Sequence, residues 1–223
     1  MSDAESKPRE RVYGGQEAIE RKSERRQRLI EAGIRLFSAS GYHATTVRAI
    51  ITESGLATRY FYESFQNQEE LLIACYEHLM SGFSKKLDAI LGQEHDSLEG
   101  LVRAGIRCYF EAVTDPSFLR ITQIEILGVS ESVDRMYFGA LKNYGDLILR
   151  TAIGDAEKLK GLNIPEEDIV TLGATITGAV SIVTAIWARE NYLRPIDRMV
   201  DITLVMIMGI SSYLTTAPNP LGR

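Results

Sequence analysis

The sequence predicts an all-α protein. It has a small N-terminal head carrying a helix-turn-helix and a larger helical body. Three observations carry this. Apolar residues recur at helical spacing through most of the chain, with no convincing strand alternation or internal repeat. Of the six prolines, four lie within the first 10 or the last 30 residues, so the interior permits long helices. The segment TVRAIITESGLATRYFYESF, residues 46–65, has the form of two short helices that reverse at Gly55.

Residues 1–20 are polar and contain Pro8, Gly14 and Gly15. They read as a flexible arm whose Arg9 and Arg11 suit a minor groove. The first head helix follows in ERRQRLIEAGIRLFSASGY. Leu29, Ile30, Ile34, Leu36 and Phe37 form its apolar side, and Gly41 ends it. Thr45 or Thr46 caps the next helix. Val47, Ile50 and Ile51 give the helix-turn-helix one apolar side, and Leu56, Phe61 and Phe65 give the other. Asn67 caps a long helix that carries Glu69 and Glu70 in its first turn, where the dipole favours them, and that Gly92 ends after Leu91.

Five more helical segments follow. Ser97–Val113 is the first, and Asp115 caps the second at Pro116. The third spans Glu131–Leu159. Pro165 opens another that reaches about Tyr192, and Pro195–Leu214 closes the body. The stretches GATITGAVSIVTAIW and DITLVMIMGISSYL are apolar around most of their circumference. Such helices must be covered, and a pair of them at one end of a chain suggests a four-helix interface between two copies. Ile176, Val180, Val183, Ile202, Met206 and Ile210 are the expected interface residues.

Hydrophobic content of 45% and charged content of 25% suit a soluble globular protein. The most apolar stretch, residues 169–188, is rich in Thr, Ser and Gly and reads as a buried helix, so no membrane partner is expected. The charged N-terminus has no apolar signal core, which points to the cytoplasm. Cys75 and Cys108 fall in apolar helical patterns and read as buried thiols. The net charge of −5 is unevenly spread. Residues 21–62 hold eight basic and three acidic side chains, so this segment is +5 and the remainder is −10. A basic head on an acidic body directs a polyanion to the head alone.

The residues Gly41, Thr46, Ile50, Gly55, Tyr62, Phe65, Glu69 and Leu71, at these spacings, resemble the TetR family of bacterial repressors. The run RYFYESF with VYGG upstream looks like a subgroup frequent in actinobacteria. Three positions depart from the family pattern. Ile51 stands where a small residue is usual, Gln68 where a Lys often touches a phosphate, and Arg59 where a Gly is common.

The domain boundaries expected are an arm at 1–20, a DNA-binding head at 21–66, a ligand-binding and dimerisation body at 67–216, and a tail at 217–223. Arg48 on the first helix of the motif, and Thr58, Arg59 and Tyr60 at the start of the second, are placed to read bases. An Arg can take guanine O6 and N7 together. The matching family positions imply phosphate contacts for Thr46 and Tyr62. Ser64 and Asn67 complete the expected DNA-binding set. The resemblance also implies a homodimer on a palindromic double-stranded operator and a pocket in the body for an unknown small-molecule effector. Tyr109, Phe118, Ile121, Glu125, Phe138, Tyr144 and Trp187 are its candidate lining, and Glu125, set in the apolar run ITQIEIL, would hold a polar group of an otherwise apolar ligand.

No catalytic motif is present: G-x-S-x-G, H-E-x-x-H and the glycine-rich phosphate loops are all missing. His43, His78 and His95 are dispersed, so neither a metal nor a cofactor is expected. The expectation is therefore a regulator rather than an enzyme. An architectural DNA-binding protein without a ligand and a transcriptional activator are the alternatives.

Overall fold

The computed structural model describes residues 9–154, 161–162 and 164–217, with side chains from residue 18 onward. Among the described residues there is no strand. The chain divides into two compact units, Met1–His78 and Leu79–Arg223.

The first unit holds α1 (Arg9–Ser40), α2 (Val47–Ser54), α3 (Thr58–Tyr62) and the first turns of α4 (Gln68–Leu91). α1 begins well before the expected position, because residues 9–20 are helical and not an arm. Helix formers such as Arg, Glu, Gln and Ala dominate that stretch and outweigh Gly14 and Gly15, each of which costs about 1 kcal/mol. Residues 1–8, and the side chains of Arg9 and Arg11, lie outside the described part of the chain. Leu29, Phe37, Ile50, Phe61, Leu71, Leu72 and Cys75 are fully buried and form the core of this unit.

The unit extends to His78 rather than to residue 66 because the start of α4 packs on α1. Gly33 makes this approach possible: a Cβ there would lie 2.8 Å from the Cys75 Sγ and 3.1 Å from Leu71. The Cys75 thiol donates to the Ile30 carbonyl at 3.4 Å. Burial pushes the Cys75 and Cys108 thiols up, so both stay protonated and inert.

The second unit contains the rest of α4, then α5 (Leu98–Ala112), α6 (Pro116–Arg120), a π-helical turn (Ile121–Glu125), α7 (Glu131–Ile153), α8 (Glu166–Arg189) and α9 (Ile196–Thr216). Ser97, Asp115 and Ser130 cap their helices with side-chain oxygens. α7 ends at Ile153, short of the expected Leu159, because Gly154 takes up the left-handed conformation (φ 76°) and closes the helix on the Arg150 carbonyl. Leu159 itself lies outside the described residues, as does the expected tail beyond Ala217.

α7 and α8 touch backbone to backbone. A Cβ on Gly145 would lie 2.1 Å from the Gly173 carbonyl oxygen. α9 packs on α5 and on α7. The core joins Phe83, Ile106, Phe110, Phe118, Leu149, Ile176, Trp187, Val200 and Leu204. The indole N–H of Trp187 donates to the Arg194 carbonyl at 2.9 Å, which fixes the turn between α8 and α9. α8 and α9 are long and apolar enough to cross a membrane by length and composition, but their inner faces supply core residues of this unit.

Candidate functional site

The head is built so that α3 presents its polar side outward. Thr46 caps α2 by accepting from the Ala49 N–H at 3.2 Å, while Thr45 is buried and donates to the Gly41 carbonyl at 2.7 Å. Gly55 turns the chain at φ 64°, a conformation that costs a side-chain-bearing residue energy. Beside it, Arg28 of α1 donates to the Ser54 carbonyl at 2.7 Å and satisfies one of the open carbonyls that end α2. Arg35 pairs with Glu53 at 2.7 Å, a second tie between α1 and α2. Ile50 and Phe61 are fully buried and Phe65 nearly so, whereas Val47, Ile51 and Leu56 are half-buried. Ile51 therefore lies at the margin of the helix-turn-helix core, where its bulk is accommodated.

Thr58, Arg59 and Tyr62 are exposed on α3, with Tyr62 at 59%. Tyr60 and Ser64 are half-buried, and Arg48 is exposed on α2. Arg59 donates to the Tyr60 hydroxyl at 2.6 Å, which pushes the guanidinium pKa up and leaves it charged. The Tyr60 ring carries two cations. The Arg25 guanidinium lies 4.4 Å from the ring centroid and that of Arg59 lies 4.6 Å away. Arg26 lies 4.9 Å over Phe65. The role of Arg25 was not legible from its position: the basic run is visible in the sequence, but the ring beneath it is 35 residues further on.

Asn67 caps α4 by accepting from the Glu70 N–H at 2.9 Å. Gln68 donates through its side-chain amide to the Tyr42 carbonyl at 2.6 Å. The position that departs from the family's Lys thus holds the α1–α2 loop in place.

In the second unit, the expected lining residues separate. Phe118, Ile121 and Trp187 are core members, each at 5% exposure or less. Phe138 is 52% exposed and faces outward, because its neighbour Tyr137 takes the inward position about 100° round the helix. Glu125 is paired with Arg120 at 2.9 Å. Tyr144 shares a hydrogen bond with Ser84 at 2.6 Å. Tyr109 accepts a hydrogen bond from the Gln123 amide, with Ser181 and Thr184 of α8 close to its hydroxyl and Tyr137 of α7 close to Ser181. Burial pushes the Tyr109 phenol up to about 12. This polar cluster went unread in the sequence. Its signal is the pair Ser181 and Thr184 in an otherwise apolar helix.

The interface expectation needs correction at Ile176 and Val180. Ile176 and Val180 face inward at 1% and 9% exposure, and Val183, Met206 and Ile210 are half-buried against the core. Gly173 decides this, since it turns its own side of α8 toward α7. The outward apolar residues are Ile182 and Ile186 on α8, and Ile202, Val205 and Tyr213 on α9. Ile202 alone of the expected set is among them.

Comparison with known proteins gives a consistent picture. The family model described as bacterial regulatory proteins, tetR family, matches residues 29–75. A fatty acid metabolism regulator protein of Bacillus subtilis (strain 168) is 23% identical over 150 residues, which cover 66% of this chain and 77% of the relative. The fatty acid degradation regulator FadR from Bacillus halodurans has the same fold, with a TM-score of 0.68 at 22% identity over 83% of this chain and 95% of that one. The transcriptional regulator FadR from Bacillus subtilis, solved in complex with stearoyl-CoA, gives a TM-score of 0.66 at 19% identity over 82% of this chain and 97% of that one.

Proposed function

Because this chain belongs to the tetR family of bacterial regulatory proteins, we propose that it is a repressor that binds a palindromic operator as a homodimer and leaves it on binding an acyl-CoA thioester. The observation that carries the DNA-binding reading is the outward face of α3, where Thr58, Arg59 and Tyr62 stand exposed on a head of positive charge. Arg59 reads a guanine through O6 and N7, and Tyr60 contacts a thymine methyl. Arg48 is placed to read a base from α2, while Thr46 and Tyr62 hold phosphates and set the register and Ser64 adds a further contact. Asn67 acts through the start of α4, whose open N–H groups and dipole favour a phosphate.

The dimer reading is supported by the uncovered apolar residues of α8 and α9, Ile182, Ile186, Ile202, Val205 and Tyr213. A second copy pairs such faces isologously, and two-fold symmetry suits a palindrome. The ligand reading is supported by the shared fold with the protein solved with stearoyl-CoA, and by the aromatic and aliphatic interior of the second unit.

The test is binding of the purified protein to the DNA upstream of its own gene, against a scrambled fragment, across a salt series. Selective binding that weakens steeply with salt and is reversed by stearoyl-CoA is the expected result. Equal affinity for both fragments would remove the operator-specific reading. Binding unaffected by any acyl-CoA would remove the inducer.

A further inference from the structure

We propose that Arg25 of α1 is a further DNA-binding residue, clasping a backbone phosphate beside the bases that α3 reads. The proposal rests on the DNA-binding reading given above and adds to it a contact from outside the helix-turn-helix.

The Tyr60 ring is shared by two guanidinium groups, with Arg25 at 4.4 Å and Arg59 at 4.6 Å from its centroid. Arg59 also donates to the Tyr60 hydroxyl at 2.6 Å. Arg25 donates to no described residue, and a ring face uses none of the five N–H donors of a guanidinium. Neither arginine pairs with a carboxylate among the described residues. Glu63 acts on Arg59 only at longer range. Sharing one ring holds the two cations within roughly a Debye length of each other at physiological salt, so they repel, and the ring offsets only part of that. An anion reaching both would relieve the repulsion. An uncharged side chain would cover the ring as well, so what Arg25 adds is charge and open donors.

Position decides which anion this is. Tyr60 follows Thr58 and Arg59, which stand exposed on the outward side of α3. One turn along α1 from Arg25, Arg28 donates to the Ser54 carbonyl at 2.7 Å, beside the Gly55 turn. One side of α1 thus runs along the helix-turn-helix, with Arg28 at the turn and Arg25 at the reading helix. The major groove is about 12 Å wide, more than the separation of two groups held on one ring. With Arg59 at the base edges, Arg25 is within reach of the phosphates that border the groove. A guanidinium grips a phosphate through two parallel N–H bonds. The start of α4 brings no cation of its own for this, since Gln68 is neutral and gives its amide to the Tyr42 carbonyl at 2.6 Å.

The experiment is fluorescence anisotropy of the full-length protein across a salt series. The probes are a duplex that the unaltered protein selects from a random-sequence pool and a mixed-sequence duplex of the same length. Arg25→Gln, Arg25→Met and Arg25→Lys are measured alongside, with melting curves for each. The Met variant retains an unbranched stem over the ring and serves if the Gln variant unfolds. Both neutral variants should flatten the plot of log affinity against log salt by about one unit per head, hence about two per dimer. Their preference for the selected duplex should change by less than about twofold, because a phosphate contact carries no sequence information. Arg25→Lys should restore the slope. An unchanged slope in both neutral variants overturns the proposal. So does a lost preference at unchanged slope, which would make Arg25 a positioning residue for Tyr60 and Arg59. If the unaltered protein selects no duplex at all, the DNA-binding reading itself fails and takes this one with it.

Discussion

The two units use most of their paired arginines differently. In the head, Arg25 and Arg59 lie over the ring of Tyr60, and Arg26 lies over Phe65. In the body, Arg107 pairs with Asp197, Arg120 with Glu125, Arg135 with Glu131, and Arg150 with both Asp146 and Glu166. A ring orients a guanidinium without cancelling its charge, whereas a carboxylate does both. The head therefore keeps much of a field that a phosphate backbone can use, although its Arg35 pairs with Glu53, and the body neutralises several of its own cations. Charge composition alone would miss this, because it counts arginines without saying what faces them.

Packing separates the units as well, and it supplies the largest expected effect. Gly173→Val forces apart helices whose backbones touch, and should destabilise the body by at least about 3 kcal/mol, read by chemical denaturation. Ile51→Ala, at the half-buried margin of the head, should cost a fraction of that. Comparable costs would erase the contrast.

Tyrosine extends it. Tyr62 of the head is 59% exposed, but the Tyr109 phenol of the body is enclosed and pushed up to about 12. Between pH 10 and 12 the unfolded chain releases a proton that the folded chain holds. Stability should therefore fall as pH rises through that window, by up to about 1.4 kcal/mol per pH unit. Tyr109→Phe should remove this component. A profile unchanged by the substitution would show that Tyr109 does not titrate as its burial implies.

On DNA, Arg59→Ala should lose at least tenfold in specific affinity, measured by fluorescence anisotropy on the operator, with non-specific affinity far less affected. Unchanged specific affinity would remove Arg59 as a base reader. Arg103→Gln should do least. It breaks a half-exposed pair with Asp201 at 2.5 Å, so the melting temperature should stay within about 2 °C and DNA binding should not change.

The head was legible because its signals are local. Gly55 sits at the turn with positive φ, Thr46 caps α2, and Ile50 and Phe61 fill the core as their spacing predicts. The body was legible only as a set of helices. Spacing placed α5 and α9 within a residue or two, but it could not say which side of an almost wholly apolar helix faces inward. That choice depends on Gly145 meeting Gly173, a contact between residues 28 apart, and it moved Ile176 and Val180 from the expected interface into the core. The polar cluster was hidden for a similar reason, since its members come from four segments, each with an ordinary composition.

The glycine crossing has a mechanical consequence. Peptide groups in contact leave no side chains between them to change rotamer, so α7 and α8 have no soft layer along which to roll or slide. The pair is the stiff wall of its unit. Strain placed on this unit must therefore be taken up away from the crossing, in elements such as the five-residue α6 and the five-residue π turn.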